Sequence, residues 1–215
     1  MSLRRLASLL AVLTLASACA TGAPAAGAPD ADAALAAGPA AGNGARAEPP
    51  AVLDVLPSSV GTFEYQGFRR FEDGTDGYSL RYANARKRRI ADVYVYPVSK
   101  ENLSLDHERL VLGSTRATMQ AIGKAVRAGV YTDFNVVTAA TRARGMRTVA
   151  RVQATYLREN LASITVLYQT EHEGTLVKIR LSMPDNASNR GSLEWDRFAE
   201  DMFERITRDL DGTSA

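Results

Sequence analysis

Few side chains of this chain are of the types that most often carry out chemistry. The 215 residues include two histidines and one cysteine, and such side chains commonly act as bases, nucleophiles and metal ligands. No serine lies in a Gly-x-Ser-x-Gly elbow, and the chain has no glycine-rich motif of the kind that cradles phosphate. The sequence therefore predicts that the protein is not an enzyme and uses no cofactor and no metal.

Each histidine stands between two acidic residues. Asp106-His107-Glu108 is predicted to open a helix, where consecutive side chains point in different directions and cannot converge on one ligand. Glu171-His172-Glu173 is predicted to lie at a hairpin tip, without the spacing of a zinc site. We interpret both clusters as solvated ends of secondary structure. An enzyme would need one of the two histidines to join other polar side chains around a buried cleft.

The cysteine, Cys19, ends an apolar run that follows Arg4 and Arg5. This order is typical of a secretory signal peptide, which we assign to residues 1–18. The apolar run is too short for a membrane-spanning helix, which needs about 20 residues. A lone thiol in an exported protein is reactive unless it is modified. Two alternatives follow: a lipid-modified Cys19, or an incidental cysteine in the signal of a soluble periplasmic protein.

Ala16-Ser17-Ala18-Cys19 resembles the lipobox of bacterial lipoproteins, although that family most often has Leu at the position of Ala16. The resemblance implies that Cys19 is acylated and that the protein is held at a membrane. Ala20 follows Cys19 where inner-membrane lipoproteins have Asp, which implies the outer membrane, with the protein facing the periplasm.

Residues 19–50 are predicted to form a disordered tether behind the lipidated cysteine. Of the 31 residues from Ala20 to Pro50, 14 are Ala, 5 Gly and 5 Pro, a composition that buries too little apolar surface to fold. A flexible chain of this length spans on the order of 30 Å. Residues 51–211 have the length of one domain, and residues 212–215 are predicted to be a disordered tail.

The charge of the mature chain argues against nucleic-acid binding. The whole chain has 26 basic and 24 acidic residues, and removal of Arg4 and Arg5 with the signal leaves 24 of each. A chain without net charge has no long-range attraction to nucleic acid.

Hydrophobic patterns predict an α+β domain with a mainly antiparallel sheet of about six to seven strands and two long helices, in the order βββ-α-ββββ-α. Period-two alternation marks the strands, with a bulge at Gly67. Helical periodicity predicts one helix between Leu105 and Ala128, capped by Ser104 and stopped by Gly129. It predicts another from about Leu193 to Leu210, with one apolar stripe formed by Trp195, Phe198, Met202, Ile206 and Leu210. The predicted strands are 63–71, 78–82, 90–96, 135–143, 147–158, 163–171 and 175–183.

This order of elements resembles the Mog1/PsbP-like fold, in which a twisted antiparallel sheet lies between helices. The resemblance covers roughly residues 57–210 and rests on the order of elements alone, so it transfers no functional residue. It implies a non-catalytic accessory or interaction domain.

One surface stands out from the sequence as a candidate contact with a ligand. Arg86, Lys87, Arg88 and Arg89 form a compact basic run between two predicted strands. Such a run is either a solvated hairpin loop or a contact with an anionic lipid surface, to which each basic residue adds about 1 kcal/mol.

Two functions follow from these features. The first is a lipid-anchored envelope protein whose periplasmic domain binds another envelope component, with a protein as the candidate partner. The alternative is a periplasmic carrier that holds an apolar small ligand or lipid between the sheet and a helix. We expect aromatic side chains of the strands to line the cavity of such a carrier: Phe63, Tyr65, Tyr78, Tyr94 and Tyr96.

Overall fold

The computed structural model describes residues 57–71, 77–144, 147–190 and 192–213. The predicted signal peptide, Cys19 and the predicted tether lie outside the described residues, as do residues 214 and 215 of the predicted tail.

One antiparallel sheet of eight strands forms the centre of the described domain. The strands are β1 (Ser59–Val60), β2 (Phe63–Arg70), β3 (Tyr78–Asn84), β4 (Arg89–Pro97), β5 (Thr132–Arg144), β6 (Arg147–Arg158), β7 (Leu161–His172) and β8 (Thr175–Pro184). Their order across the sheet is β1-β2-β3-β4-β8-β7-β6-β5. Successive hairpins connect β5, β6, β7 and β8. The last of these strands, β8, lies in the middle of the sheet and pairs with β4. The prediction of six to seven strands was therefore too low. The strand it missed, β1, has only two residues, which is too short to show an alternating pattern.

The predicted bulge in β2 is confirmed. The register between β2 and β3 shifts between Tyr65 and Gly67, and Gly67 has φ 145°. Residues that have a Cβ atom rarely adopt this backbone conformation, so glycine suits the position. The bulge explains why the apolar alternation along β2 changes phase there.

The first long helix, α1 (His107–Arg127), packs on one face of the sheet. Asp106 caps it, because its side chain accepts a hydrogen bond from the Arg109 amide at 2.8 Å. The helix thus begins three residues after the predicted cap, Ser104. The predicted end is correct, since Gly129 has φ 75° and its amide donates to the Val126 carbonyl at 3.0 Å. Ile122 and Ala125 of this helix pack with Tyr131 and Tyr156.

The last helix, α3 (Glu194–Thr213), packs on the opposite face, after the short helix α2 (Ala187–Arg190). Its buried stripe contains Trp195, Phe198, Met202 and Ile206, as the sequence predicted. These side chains meet the main core of the sheet, and the Phe198 ring lies 4.8 Å from that of Phe63. The helix extends into the first two residues of the predicted tail. The observed architecture is thus an antiparallel sheet between two long helices.

Neither long helix is a candidate for crossing a membrane. Within the described residues, no helix combines the length and the apolar composition that a membrane span requires.

Candidate functional site: a groove between α3 and the sheet

A groove of about 980 Å³ runs between α3 and the sheet surface formed by β5, β6 and β7. It is partly open to solvent. Its apolar lining comes from the sheet, from the helix and from Leu193 just before the helix, and includes Val149, Tyr168, Ala199 and Phe203. The volume is that of an ordinary ligand site, for which about 300–1,000 Å³ is usual.

The groove exists because α3 packs over the centre of the sheet and leaves its β5 end uncovered. The helix contacts β1, β7 and β8, whose facing side chains are large and apolar. On β5, the corresponding positions are Thr138, Ala140 and Arg142, which are opposite Gln153, Arg151 and Val149 of β6. Short or charged side chains there offer little apolar surface to a helix, and no helix among the described residues covers this part of the sheet.

A three-residue contact joins the two walls of the groove. The Tyr168 hydroxyl donates to Asp196 Oδ1 at 2.5 Å, and Arg151 Nε donates to the same carboxylate oxygen at 3.2 Å. The Arg151 guanidinium also lies over the Tyr168 ring, 5.6 Å from its centroid. Burial, and then the hydrogen bond to Asp196, raise the pKa of Tyr168 well above its usual range. Tyr168 therefore remains a neutral donor and holds the start of α3 against the sheet.

The two walls carry opposite charge. The sheet wall presents Arg142, Arg147 and Arg151, whereas the helix wall presents mainly carboxylates, from Asp196, Glu200 and Glu204, and one cation, Arg197. Within the described residues, Arg142 and Arg147 take part in no ion pair. The lining includes no histidine and no cysteine. This set of groups suits the binding of a charged or amphipathic segment, because both hydrogen-bonding charges and apolar surface are available.

The basic run between β3 and β4 divides into exposed and buried members. Arg86, Lys87 and Arg88 are exposed. Arg89 is buried, and its Nε and Nη2 donate to Asn189 Oδ1 at 2.9 and 2.7 Å. It also pairs with Glu194 at the start of α3. Arg89 therefore holds α2 and α3 to the sheet, and only the other three residues of the run are exposed.

Glu194 connects this basic turn to α3. Lys87 Nζ donates to Glu194 Oε1 at 2.9 Å. This hydrogen bond, with the contact from Arg89, holds the pKa of the Glu194 carboxyl below its usual value. The sequence offered no sign of these pairs, because their members are about a hundred residues apart.

The two acidic clusters around the histidines meet in the fold. His107 Nδ1 contacts Glu171 Oε2, and Glu171 Oε1 accepts a hydrogen bond from the Gly174 amide at 2.6 Å. The contact ties the start of α1 to the β7–β8 turn. Among the described residues, no three potential metal ligands converge.

A row of buried charges crosses the α1 face of the sheet, and the sequence analysis did not identify it. Asp92 on β4 accepts from Arg81 Nε at 2.8 Å and from Arg180 Nη2 at 2.7 Å. Lys178 is also buried, and its Nζ lies 4.8 Å from the centroid of the Tyr94 ring. A crevice on this face, beside Arg180, measures about 10 Å³, which is room for one water molecule at most. These charges are thus packed groups rather than a ligand site.

The aromatic residues expected to line a carrier cavity do not line the groove. Phe63 and Tyr78 belong to the packed core under α3, and Tyr65 packs against that core. Tyr94 and Tyr96 lie on the opposite face, around Lys178. The aromatic lining of the groove comes instead from Tyr168 and Phe203.

Comparison with known proteins finds solved structures that are similar to this chain. No protein-family model and no curated protein sequence matches the chain. The solution structure of cyanobacterial PsbP (CyanoP) from Synechocystis sp. PCC 6803 aligns with a TM-score of 0.44 and 13% identity, over 65% of this chain and 84% of that one. The crystal structure of PA94 from Pseudomonas aeruginosa, a protein of unknown function, aligns with a TM-score of 0.38 and 9% identity, over 64% of this chain and 93% of that one. With TM-scores below 0.5, neither structure indicates what the groove binds.

Proposed function

We propose that the protein is a membrane-anchored, non-catalytic binding module that holds a segment of another envelope component in the groove between α3 and the sheet. The observation that carries this proposal is the groove itself, which is large, open at the surface and lined by both charged and apolar groups. An open groove with charged walls can accept part of a macromolecule without enclosing it.

A second candidate function is the carriage of an amphiphilic small molecule in the same groove. The apolar side chains of Val149, Leu193 and Phe203 favour it, since they could receive an acyl chain while arginines of the sheet wall pair with its head group. We place it second because the groove is open to solvent, whereas a carrier of an apolar ligand gains most from an enclosed cavity that buries 70–90% of the ligand.

We also propose that the domain rests on the membrane by the end that carries the basic turn 86–88. The described chain begins beside β3, where the carbonyl of Pro57 accepts a hydrogen bond from the Tyr82 hydroxyl at 3.3 Å, and β1 then runs toward this end. Asn84, two residues further along β3, pairs with Arg89 across the turn. A lipid on Cys19 would therefore tether the domain through a chain that joins it close to Arg86, Lys87 and Arg88.

Replacing Cys19 with alanine tests the anchor. We expect the wild-type protein to fractionate with membranes and to incorporate labelled fatty acid, and the Cys19→Ala protein to lose the label and become soluble. Two or more acyl chains give stable attachment, and their loss leaves only weak surface contact. A Cys19→Ala protein that keeps both the label and full membrane association would contradict lipidation.

The same Cys19→Ala background isolates the basic turn. We expect the Cys19→Ala protein to retain weak binding to vesicles that contain phosphatidylglycerol. At low salt, the further change of Arg86 and Arg88 to glutamate should abolish that binding. Changing Arg116 and Lys124 on α1 to glutamate is the matched control, since both are exposed and the net charge changes equally. Equal losses in the two double variants would show a nonspecific charge effect.

Photo-crosslinking in intact cells tests the groove. A benzophenone amino acid at Ala140, which lines the groove, is expected to give a discrete adduct. The same group at Ala117, exposed on α1, is expected to give none. Arg147→Glu should reduce the Ala140 adduct severalfold, since it reverses a charge of the sheet wall. A protein adduct supports the binding module, and a lipid adduct supports the carrier. Equal labelling at the two positions would refute both.

A further inference from the structure

No strand of the described residues pairs with the outer edge of β5. β5 is the last strand of the sheet, and β6 is its one strand neighbour among the described residues. Nearly all of its described side chains are exposed, with Phe134 as the half-buried exception. A long edge strand presents a row of backbone amides and carbonyls that can pair with another extended chain.

The second half of β5 has the regular geometry that such pairing needs. Register shifts interrupt the strand before Asn135 and between Val136 and Thr138. From Thr138 to Arg144, each residue then pairs in unbroken succession with β6, ending at the pair of Arg144 and Arg147. Proteins often protect edges with bulges, and here the bulges fall outside this segment of seven residues.

The charge of the β5–β6 hairpin selects the partner. From Phe134 to Arg158 the chain contains five arginines and no acidic residue. One of them, Arg151, is already paired with Asp196, whereas Arg142 and Arg147 point into the groove without an ion-pair partner among the described residues. A segment with carboxylates at alternate positions would therefore meet opposite charge along this edge.

We propose that the edge of β5 from Thr138 to Arg144 binds an extended acidic segment of a partner polypeptide by strand addition. This inference rests on the proposed function and names the chemistry of the partner. The added strand continues the sheet, its backbone pairs with β5, and every second side chain lies over the groove, on the face that carries Thr138, Ala140 and Arg142. The backbone gives affinity, and the arginines give selectivity for carboxylates.

Two other occupants fit less well. A second copy of this chain would bring two hairpins together, each with five arginines and a single acidic residue, Asp133, and like charges at close range repel. An anionic lipid or polysaccharide could satisfy the arginines, but it lacks the alternating amides and carbonyls that match a strand edge. The exposed backbone therefore favours a polypeptide.

Peptide titration of the Cys19→Ala protein tests the proposal, followed by amide NMR. The probe is an eight-residue peptide that alternates glutamate with threonine, and the matched control has lysine in place of glutamate. We expect the acidic peptide to bind and to slow hydrogen exchange at alternate amides between Thr138 and Arg144. The lysine peptide should bind at least tenfold more weakly. In the Arg142→Glu/Arg147→Glu variant, this preference should reverse.

Three results would overturn the proposal: no binding of the acidic peptide, equal binding of the two peptides, or binding that leaves the β5 amides unprotected. Dimerisation of the protein through β5 would likewise replace it. The crosslinking experiment separates this inference from the proposed function. A protein adduct at Ala140 without acidic-peptide binding leaves the groove as a binding site for a different partner. Peptide binding at β5 without any adduct in cells would refute the proposed cellular function instead.

Discussion

The Asp92→Ala protein is expected to lose about 3–5 kcal/mol of its free energy of unfolding, the range for breaking a buried ion pair by removing one partner. Asp92 accepts hydrogen bonds from Arg180 and Arg81. The side chains of Asp92 and Arg180 are each about 5% exposed. Without the carboxylate, the Arg180 guanidinium keeps its charge in the core and loses the acceptor that offsets its desolvation. Urea denaturation measures the change.

Arg81→Ala is the matched control for Asp92→Ala. It removes the other cation that contacts the Asp92 carboxylate. Because the Arg81 side chain is 49% exposed, water can replace most of the hydrogen bonding that Asp92 loses. A cost of up to about 1 kcal/mol is typical of exposed ion pairs. If the two variants were equally stable, the buried pair of Asp92 and Arg180 would not be a principal support of the sheet.

Lys178→Met is expected to stabilise the protein at pH 7 by about 2 kcal/mol. Burial lowers the pKa of Lys178 to about 8, and the charge of Arg180 adds to the effect. The difference from the ordinary value of 10.5 corresponds to about 3 kcal/mol of cost in keeping the lysine charged at neutral pH. Contacts of the ammonium group with the rings of Tyr94 and Tyr96 offset about 1 kcal/mol of this, and methionine would lose them.

The sign of the pH dependence follows from the lowered pKa. Between pH 8 and pH 10.5 the unfolded chain keeps the Lys178 proton that the folded protein has released, so the contribution of Lys178 to stability rises with pH. Thermal or urea unfolding should show the advantage of Lys178→Met shrinking across this window. The Lys124→Met control changes an exposed lysine of α1 and should leave both stability and its pH dependence close to wild type. If the stability gain of Lys178→Met stayed constant across this pH window, the pKa of Lys178 in the folded protein would not be lowered.

Local patterns predicted much of the sheet. The bounds of β6 were predicted to the residue, because Ala150, Val152, Ala154 and Tyr156 alternate with polar residues and hairpin turns limit the strand. The apolar stripe of α3 and the bulge at Gly67 were equally visible. Each of these features depends on residues that are close in the chain, where the period of side-chain burial reveals the local backbone geometry.

The buried charges show why other features were missed. Asp92 and Arg180 are 88 residues apart, and no pattern along either strand indicates that the two side chains meet. They become buried because β8 returns to pair with β4, which brings the two side chains together in the interior. His107 and Glu171 likewise come together only when α1 lies across the sheet.

The groove depends on the same long-range arrangement. The sequence alone determined that β6 has an arginine-containing face and that α3 has an apolar stripe, because both are periodic properties of single elements. Only the tertiary structure decided that α3 lies over β1, β7 and β8 and leaves the arginines of β5 and β6 beside an open groove. The position of a helix on a sheet is set by packing between residues far apart in the chain, so the hydrophobic periodicity of a single element does not predict it.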